Sequence, residues 1–355
     1  MGRTVALVGA LHPGARQLAL ALEDDPAVER VLGLSRHEPP LLGPKFEFVQ
    51  AGPADERFAG SLAGADVVVL FPLVDASDRN EEGRRGRVLE ATRRSLAAAT
   101  RAETVVLWSS GVVYGAHPDN PVPIPETLPP RPNPDFPAAA VLAESERLAL
   151  ASGGGRTVTV LRGAGVWAPA WGTFLSRSLM APAMVGVRGS DPPLQCLAPA
   201  DAVSALRLAV SGALEGVYNV APDDWVGARA AAAAAGRRRL VVPHRMALAT
   251  AERLWRAGMS AAAAGELHFH VHPWVLDNAR LRAAGWAPTR SSAEAFAEAG
   301  RQVPAGVQVG GVQVRRDTVR RGVAAGLALL AVVAVARHQA RTRRGASGRR
   351  RSGPM

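Results

Sequence analysis

Three groups of residues in this chain have types and spacings that chemistry can use. In TVALVGALHPGARQL, Gly9 and Gly14 lie between an apolar, β-rich run (4–10) and a stretch with helical spacing (15–25). A glycine turn of this kind lets the backbone approach phosphates, and the following helix N-terminus offers N–H groups and a positive dipole end. Ser35 and Arg36 end the next β-rich run (30–35), where dinucleotide folds place an acid for the ribose hydroxyls. An arginine there pairs with a 2′-phosphate and favours NADP; the plainer reading is a solvated strand end. His268, His270 and His272 alternate, so a strand would set them on one face about 6.6 Å apart. They would need a further converging ligand to hold zinc, and no cysteine lies near. The expectation is a short exposed strand with no metal. By contrast, FPAAAVLA (136–143) opens a helix and carries no side chain that can move a proton.

The elements that must position these residues follow a regular rhythm. FEFVQA (46–51), ADVVVLF (65–71), TVVLWSS (104–110) and TVTVLRG (157–163) read as strands, the middle two apolar enough to be buried on both faces. Helical patterns cover 87–100 and Pro137 to about Ser152. Strands alternating with helices predict an α/β Rossmann-like, doubly wound parallel sheet. Beyond 166 the rhythm loosens into a smaller C-terminal substrate lobe, mainly 166–200 and 223–298. That lobe has helices at 200–210, 230–236 and 280–288 and a strand at 216–221. Residues 1–298 are expected to form the main domain. A Gly/Val/Gln-rich linker (299–321), an apolar C-terminal helix (322–336) and a basic disordered tail (337–355) follow.

Several stretches in this frame together resemble the extended short-chain dehydrogenase/reductases, the NAD-dependent epimerase/dehydratases. SSGVVYG (109–115) is similar to the family's SS-x-x-VYG. LRGAGVWAP (161–169), QCLAPADAV (195–203) and YNVA (218–221) resemble later motifs in the right order, from Val5 to about Pro288. The resemblance implies a general acid/base Tyr, a Lys one helical turn on that lowers the Tyr pKa and holds the nicotinamide ribose, and a Ser that orients the substrate oxygen. Ser110 matches that serine. The Tyr and Lys positions are Ala138 and Leu142, on one helix face. The family's glycine loop becomes Gly9, His12 and Ala15, with Gly14 beside them, and its ribose acid becomes Ser35. Its small residues after the fourth strand become Leu70, Phe71 and Pro72. In the substrate-lobe motif Ala198 replaces a His while Asp201 remains. Tyr114 stands at a packing position of the family, and Trp167 and Trp171 border its substrate cleft. The departures cluster at catalytic and cofactor positions while fold motifs persist, so the site is expected to be degenerate.

The net charge of +11 belongs to the tail: residues 315–355 hold eleven arginines and one acid, leaving the body near neutral. No specific nucleic acid is therefore expected as a partner; a basic end binds polyanions or anionic lipid loosely. Cys196 is the only cysteine, which fits a reducing compartment. The N-terminus does not read as a signal peptide. Residues 322–336 lack any polar side chain and would span roughly 22 Å as a helix, against a hydrocarbon core of about 30 Å. Flanking arginines could extend that reach, although seven of them lie beyond the segment. The expected location is cytoplasmic, with attachment to the inner membrane face through 322–336. Docking of that segment on a protein or on a second copy of the chain is the alternative. The leading expectation is a catalytically impaired protein that binds NADP or NAD weakly, or no cofactor, and serves an unknown small molecule or protein partner. The competing one is an active NAD(P)-dependent epimerase, dehydratase or reductase with an atypical proton donor.

Overall fold

The computed structural model describes residues 2–39, 43–72, 81–168, 171, 173–181, 183–256, 263–303, 306–309 and 312–315. It begins with β1 (Arg3–Val8), α1 (Pro13–Leu22), β2 (Val28–Ser35), β3 (Phe46–Gln50), α2 (Glu56–Ala63), β4 (Val67–Leu70), α3 (Glu81–Ala98) and β5 (Thr104–Ser110). After a short 3-10 turn come α4 (Pro137–Ala151), β6 (Thr157–Gly163), α5 (Phe174–Met180), β7 (Met184–Val187), β8 (Pro193–Leu194), α6 (Pro199–Val210) and β9 (Gly216–Val220). β10 (Val226–Gly227), α7 (Ala228–Ala234), β11 (Arg239–Val242), α8 (His244–Arg256), α9 (Ala279–Ala283) and α10 (Ser292–Gln302) complete the first compact unit.

The main sheet has the order β3-β2-β1-β4-β5-β6-β9, with every neighbouring pair parallel. This is the expected doubly wound sheet. The order reverses between β1 and β4, so the ends of these strands open a crevice where open α/β sheets bind ligands. β4 is VVVL and buried at all four positions, because helices cover both faces. Leu32, Phe58, Leu62, Val68, Val105 and Val160 meet in one core cluster between the sheet and its helices. Each such side chain contributes roughly 1.5–3 kcal/mol through burial. Arg156 ties the bottom of the sheet together: its guanidinium donates to the carbonyls of Leu96 and Ala99 at the end of α3 and of Ser152 after α4. A cation there meets the negative ends of two helix dipoles.

In the smaller lobe β7 pairs with β11 and β8 with β10. The expected strand over 268–274 is instead a 3-10 helix, Ala264–His270. Phe269 packs against Phe136 and Phe174 while the adjacent His270 also meets Phe174, so consecutive side chains reach the same neighbour, which the alternation of a strand would not permit. In the segment read as a linker, α10 extends to Gln302. In the second compact unit Gly306–Val309 (β12) pairs antiparallel with Val312–Arg315 (β13). The apolar segment 322–336 and the tail 337–355 lie outside the described residues. Among the described residues no helix is long and apolar enough to cross a membrane.

Candidate functional site

β5 ends at Ser110, whose hydroxyl caps the following 3-10 turn. It accepts from Val112 N at 3.4 Å and donates to Gly163 O at 3.5 Å, both long contacts. Ala138 and Leu142, on the first turns of α4, line the same pocket, of about 120 Å³, as Ser110. The structure thus brings together the three positions that the resemblance assigns to Ser, Tyr and Lys. Of these three, only Ser110 has a hydroxyl to offer a reacting atom. Neither Ala138 nor Leu142 moves a proton, and Leu142 offers no donor to a ribose.

The glycine loop is filled by the protein's own side chains. Gly9 has φ 86° and sits so close to β4 that a β-carbon there would lie 2.7 Å from the Phe71 carbonyl. His12 caps α1: its Nδ1 accepts the Gly14 amide at 3.0 Å. That amide is one of those a bound anion at a helix N-terminus would need. The His12 ring stacks on Phe71 at 5.0 Å and meets Trp171 edge-on at 5.2 Å; Trp171 in turn meets Trp108 at 5.7 Å. A β-carbon on Gly14 would lie 2.9 Å from the Trp171 ring. Burial holds the His12 imidazole down to about 4, so it is neutral and accepts rather than binding a phosphate as a cation. Ala15 is buried behind it. The residues around the loop therefore do not fit a pyrophosphate running past it to a nicotinamide.

The other half of the crevice is open. A cleft of about 670 Å³ lies at the ends of β1 to β4, between Leu34, Ser35, Arg36, Leu70 and Phe71 and the α3 side chains Arg84 and Arg87. Arg36 is exposed at its mouth. The Ser35 hydroxyl turns back to the carbonyl of His37 and so does not face outward as a ribose acceptor. Asp55 caps its own loop, accepting Gly52 N at 2.5 Å. The lining combines apolar walls with arginines and the carboxylates of Asp55 and Glu90.

Tyr114 is removed from the cleft chemistry by a buried network. Its phenol donates to Asn219 Oδ1 at 2.9 Å and accepts from Arg162 Nη1 at 2.8 Å. Arg162 is paired with Glu146 at 2.7 Å, and Glu146 accepts Ser109 Oγ at 2.5 Å. Burial raises the Tyr114 pKa above its ordinary value, outweighing Arg162, so the phenol stays protonated. Asp201 also holds structure: its Oδ1 accepts Thr289 N and Oγ1 at 2.9 and 2.7 Å. The three histidines do not share a face. His268 pairs with Asp135 at 3.0 Å and stacks on His272, while His270 packs against Phe174. Burial pushes the Cys196 thiol up, which keeps it unreactive.

Sequence reasoning did not find the His12–Trp171 contact or the place of Trp274 in the pocket wall. His12 and Trp171 were visible as added bulk in a cofactor loop and a cleft segment, but 159 positions separate them. The Glu146–Arg162 pair left a fainter signal: an acid in α4 and an arginine inside an otherwise apolar strand.

No family model matches the chain. An uncharacterised protein of Mycobacterium tuberculosis is 28% identical over 315 residues, covering 83% of this chain and 82% of its own length. Among solved structures, MoeE5 in complex with UDP-glucuronic acid and NAD superposes with a TM-score of 0.64 at 21% identity, covering 84% of this chain and 99% of its own. A short-chain dehydrogenase/reductase superfamily protein from Agrobacterium tumefaciens with bound NAD gives 0.64 at 17% identity, over 84% and 97%. These likenesses establish the fold, a Rossmann-like sheet with a C-terminal lobe.

Proposed function

We propose that the chain is a degenerate extended short-chain dehydrogenase/reductase that binds a ligand without hydride or proton-transfer chemistry. The observation that carries this reading is the chain of ring contacts Phe71–His12–Trp171–Trp108 across the glycine loop, beside Ala138 and Leu142. A redox enzyme of this fold needs the nicotinamide ring next to a proton donor. Here apolar side chains stand at both places, and the nearby phenol of Tyr114 is held in a buried network.

What remains for a nucleotide is the adenosine half of the crevice, with Arg36 suited to a 2′-phosphate. NADP or NAD then binds weakly, through that half alone. Attachment to a membrane surface through 322–336 belongs to this reading as the means of placing the domain; the basic tail supports it.

The test is a titration of the full-length chain with NADPH, NADH and adenosine 2′,5′-bisphosphate, following nicotinamide fluorescence and thermal stabilisation. The expected result is that NADPH and the bisphosphate bind equally, within about threefold, and well above the micromolar range. A low-micromolar dinucleotide, about −8 kcal/mol, or a dinucleotide advantage of tenfold or more would sink the reading.

A further inference from the structure

The smaller lobe carries a strong local charge in a body that is otherwise near neutral. Residues 236–256, which span β11 and α8, hold six arginines and a single acid, Glu252. β11 pairs in parallel with β7 as a two-stranded sheet. The register sets Leu240 beside Val185 and Val242 beside Val187. Side chains alternate along each strand, so these four share one face. The ladder continues to Arg238, whose carbonyl accepts Met184 N at 2.8 Å, and the same alternation places Arg238 on that face too.

This face is left half open. Leu240 is 48% exposed, Val185 and Val242 are half-buried, and Arg238 is exposed. Arg188, just after β7, is also exposed and donates its amide to Val242 O at 2.9 Å. A cation therefore stands at each end of β11. Among the described residues neither Arg188 nor Arg238 has an ion-pair partner. The opposite face carries Arg239 and Val241. There the Arg239 guanidinium lies over Gly186, where a β-carbon would meet its Nη2 at 2.6 Å. Asp191 beside this sheet is shared between Arg229 and Arg239, at 4.0 and 3.8 Å. The cations left without an acid are thus the two that flank Leu240 and Val242.

An apolar strip between cations calls for a partner that is negative at its surface and apolar beneath. A second copy of the chain would bring the same arginines to the contact. The chain's own segment 322–336 is followed by seven more arginines and no acid, so it too would meet like charge. A bilayer containing anionic lipid matches on both counts. We propose that the Arg238–Leu240–Val242 face of β11, with Val185 and Arg188 of the β7 side, rests on an anionic lipid membrane. Leucine and valines enter the headgroup boundary, and the arginines meet lipid phosphates. This goes beyond the reading above and does not depend on what the crevice binds. One weak signal holds a protein only marginally at a membrane, whereas two together anchor it. The apolar segment with its basic tail is the other signal, and this face fixes which side of the domain the membrane meets.

The experiment places an environment-sensitive nitrobenzoxadiazole label on the full chain through Leu240→Cys or, as a control on α4, Leu150→Cys, which is 41% exposed. The native Cys196 is buried and stays unlabelled. Vesicles of phosphatidylcholine with and without phosphatidylglycerol are the probes; co-sedimentation reads attachment of the whole chain, and the label reads contact of each position. The label at 240 is expected to brighten and shift to the blue on phosphatidylglycerol vesicles, and the label at 150 to keep its aqueous spectrum. An arginine near an anionic surface is worth roughly fivefold in partition, so Arg238→Gln should lower the inserted-to-aqueous ratio of the 240 label about fivefold. An aqueous 240 label on a chain that sediments overturns the proposal and leaves tail attachment standing. A chain that does not sediment overturns both and leaves the crevice reading untouched. Equal responses at 240 and 150, or equal responses on the two lipid compositions, overturn it as well. A 240 response that grows with chain concentration without lipid assigns the face to a second copy instead, and one matched by polyglutamate assigns it to an acidic protein.

Discussion

Removal of Glu146 tests whether the polar groups behind Ser110 are scaffold. Arg162 and Glu146 are both almost fully buried, with side chains 4% and 2% exposed. Arg162 Nε and Nη2 donate to Glu146 Oε2 at 3.0 and 2.7 Å, and Nη1 donates to Tyr114. In Glu146→Ala the guanidinium stays in the interior with its charge uncompensated, and Ser109 loses its acceptor. Breaking a buried pair from one side costs about 3–5 kcal/mol. At roughly 2–4 °C per kcal/mol for domains of about 150–250 residues, the melting temperature should fall by on the order of 10 °C. The double variant Glu146→Met, Arg162→Met removes both charges and keeps comparable volume, so it should lie within about 1–2 kcal/mol of the parent. Urea denaturation followed by tryptophan fluorescence, with calorimetric melting beside it, reads both. If the double variant is as unstable as the single one, the loss comes from packing and the electrostatic argument fails. If Glu146→Ala is nearly neutral, the network is not scaffold, and Tyr114 returns as a candidate proton donor.

Stability should also fall with acid in a particular window. Burial holds His12 and His270 at about 4 in the folded chain, His270 with a further contribution from Arg239, against 6.5 when unfolded. Their contribution is complete above pH 6.5 and is lost as pH falls toward about 4, by at most about 3 kcal/mol each; H12Q and H270Q together should flatten that limb in pH-dependent urea titrations. Gly14→Ala should cost about 1–3 kcal/mol, because its β-carbon would lie 2.9 Å from the Trp171 ring and 3.0 Å from His12 Nδ1. The penalty should shrink in a Trp171→Leu background, and an undiminished penalty there would show that the ring does not press on the loop.

Much of the fold was legible without coordinates. VVVL of β4 and TVVLWSS of β5 announced buried parallel strands because both faces of such a strand must be apolar. The 268–274 segment was misread because alternation of histidines is a local pattern. The conformation there brings the adjacent Phe269 and His270 to the same Phe174 from elsewhere in the chain. That Ala138 and Leu142 carry no ionisable group was equally legible, since side-chain type is a fact that no packing can change.

Sequence alone therefore determined the layered α/β architecture and the apolar side-chain types at Ala138 and Leu142. Both follow from periodicity and residue type, which act over one turn or one strand. Only the tertiary structure decided which side chains meet around the glycine loop. The Phe71–His12–Trp171 ring contacts and the Glu146–Arg162–Tyr114–Asn219 network join residues up to 159 positions apart. Their partners are set by where the sheet brings its strand ends together.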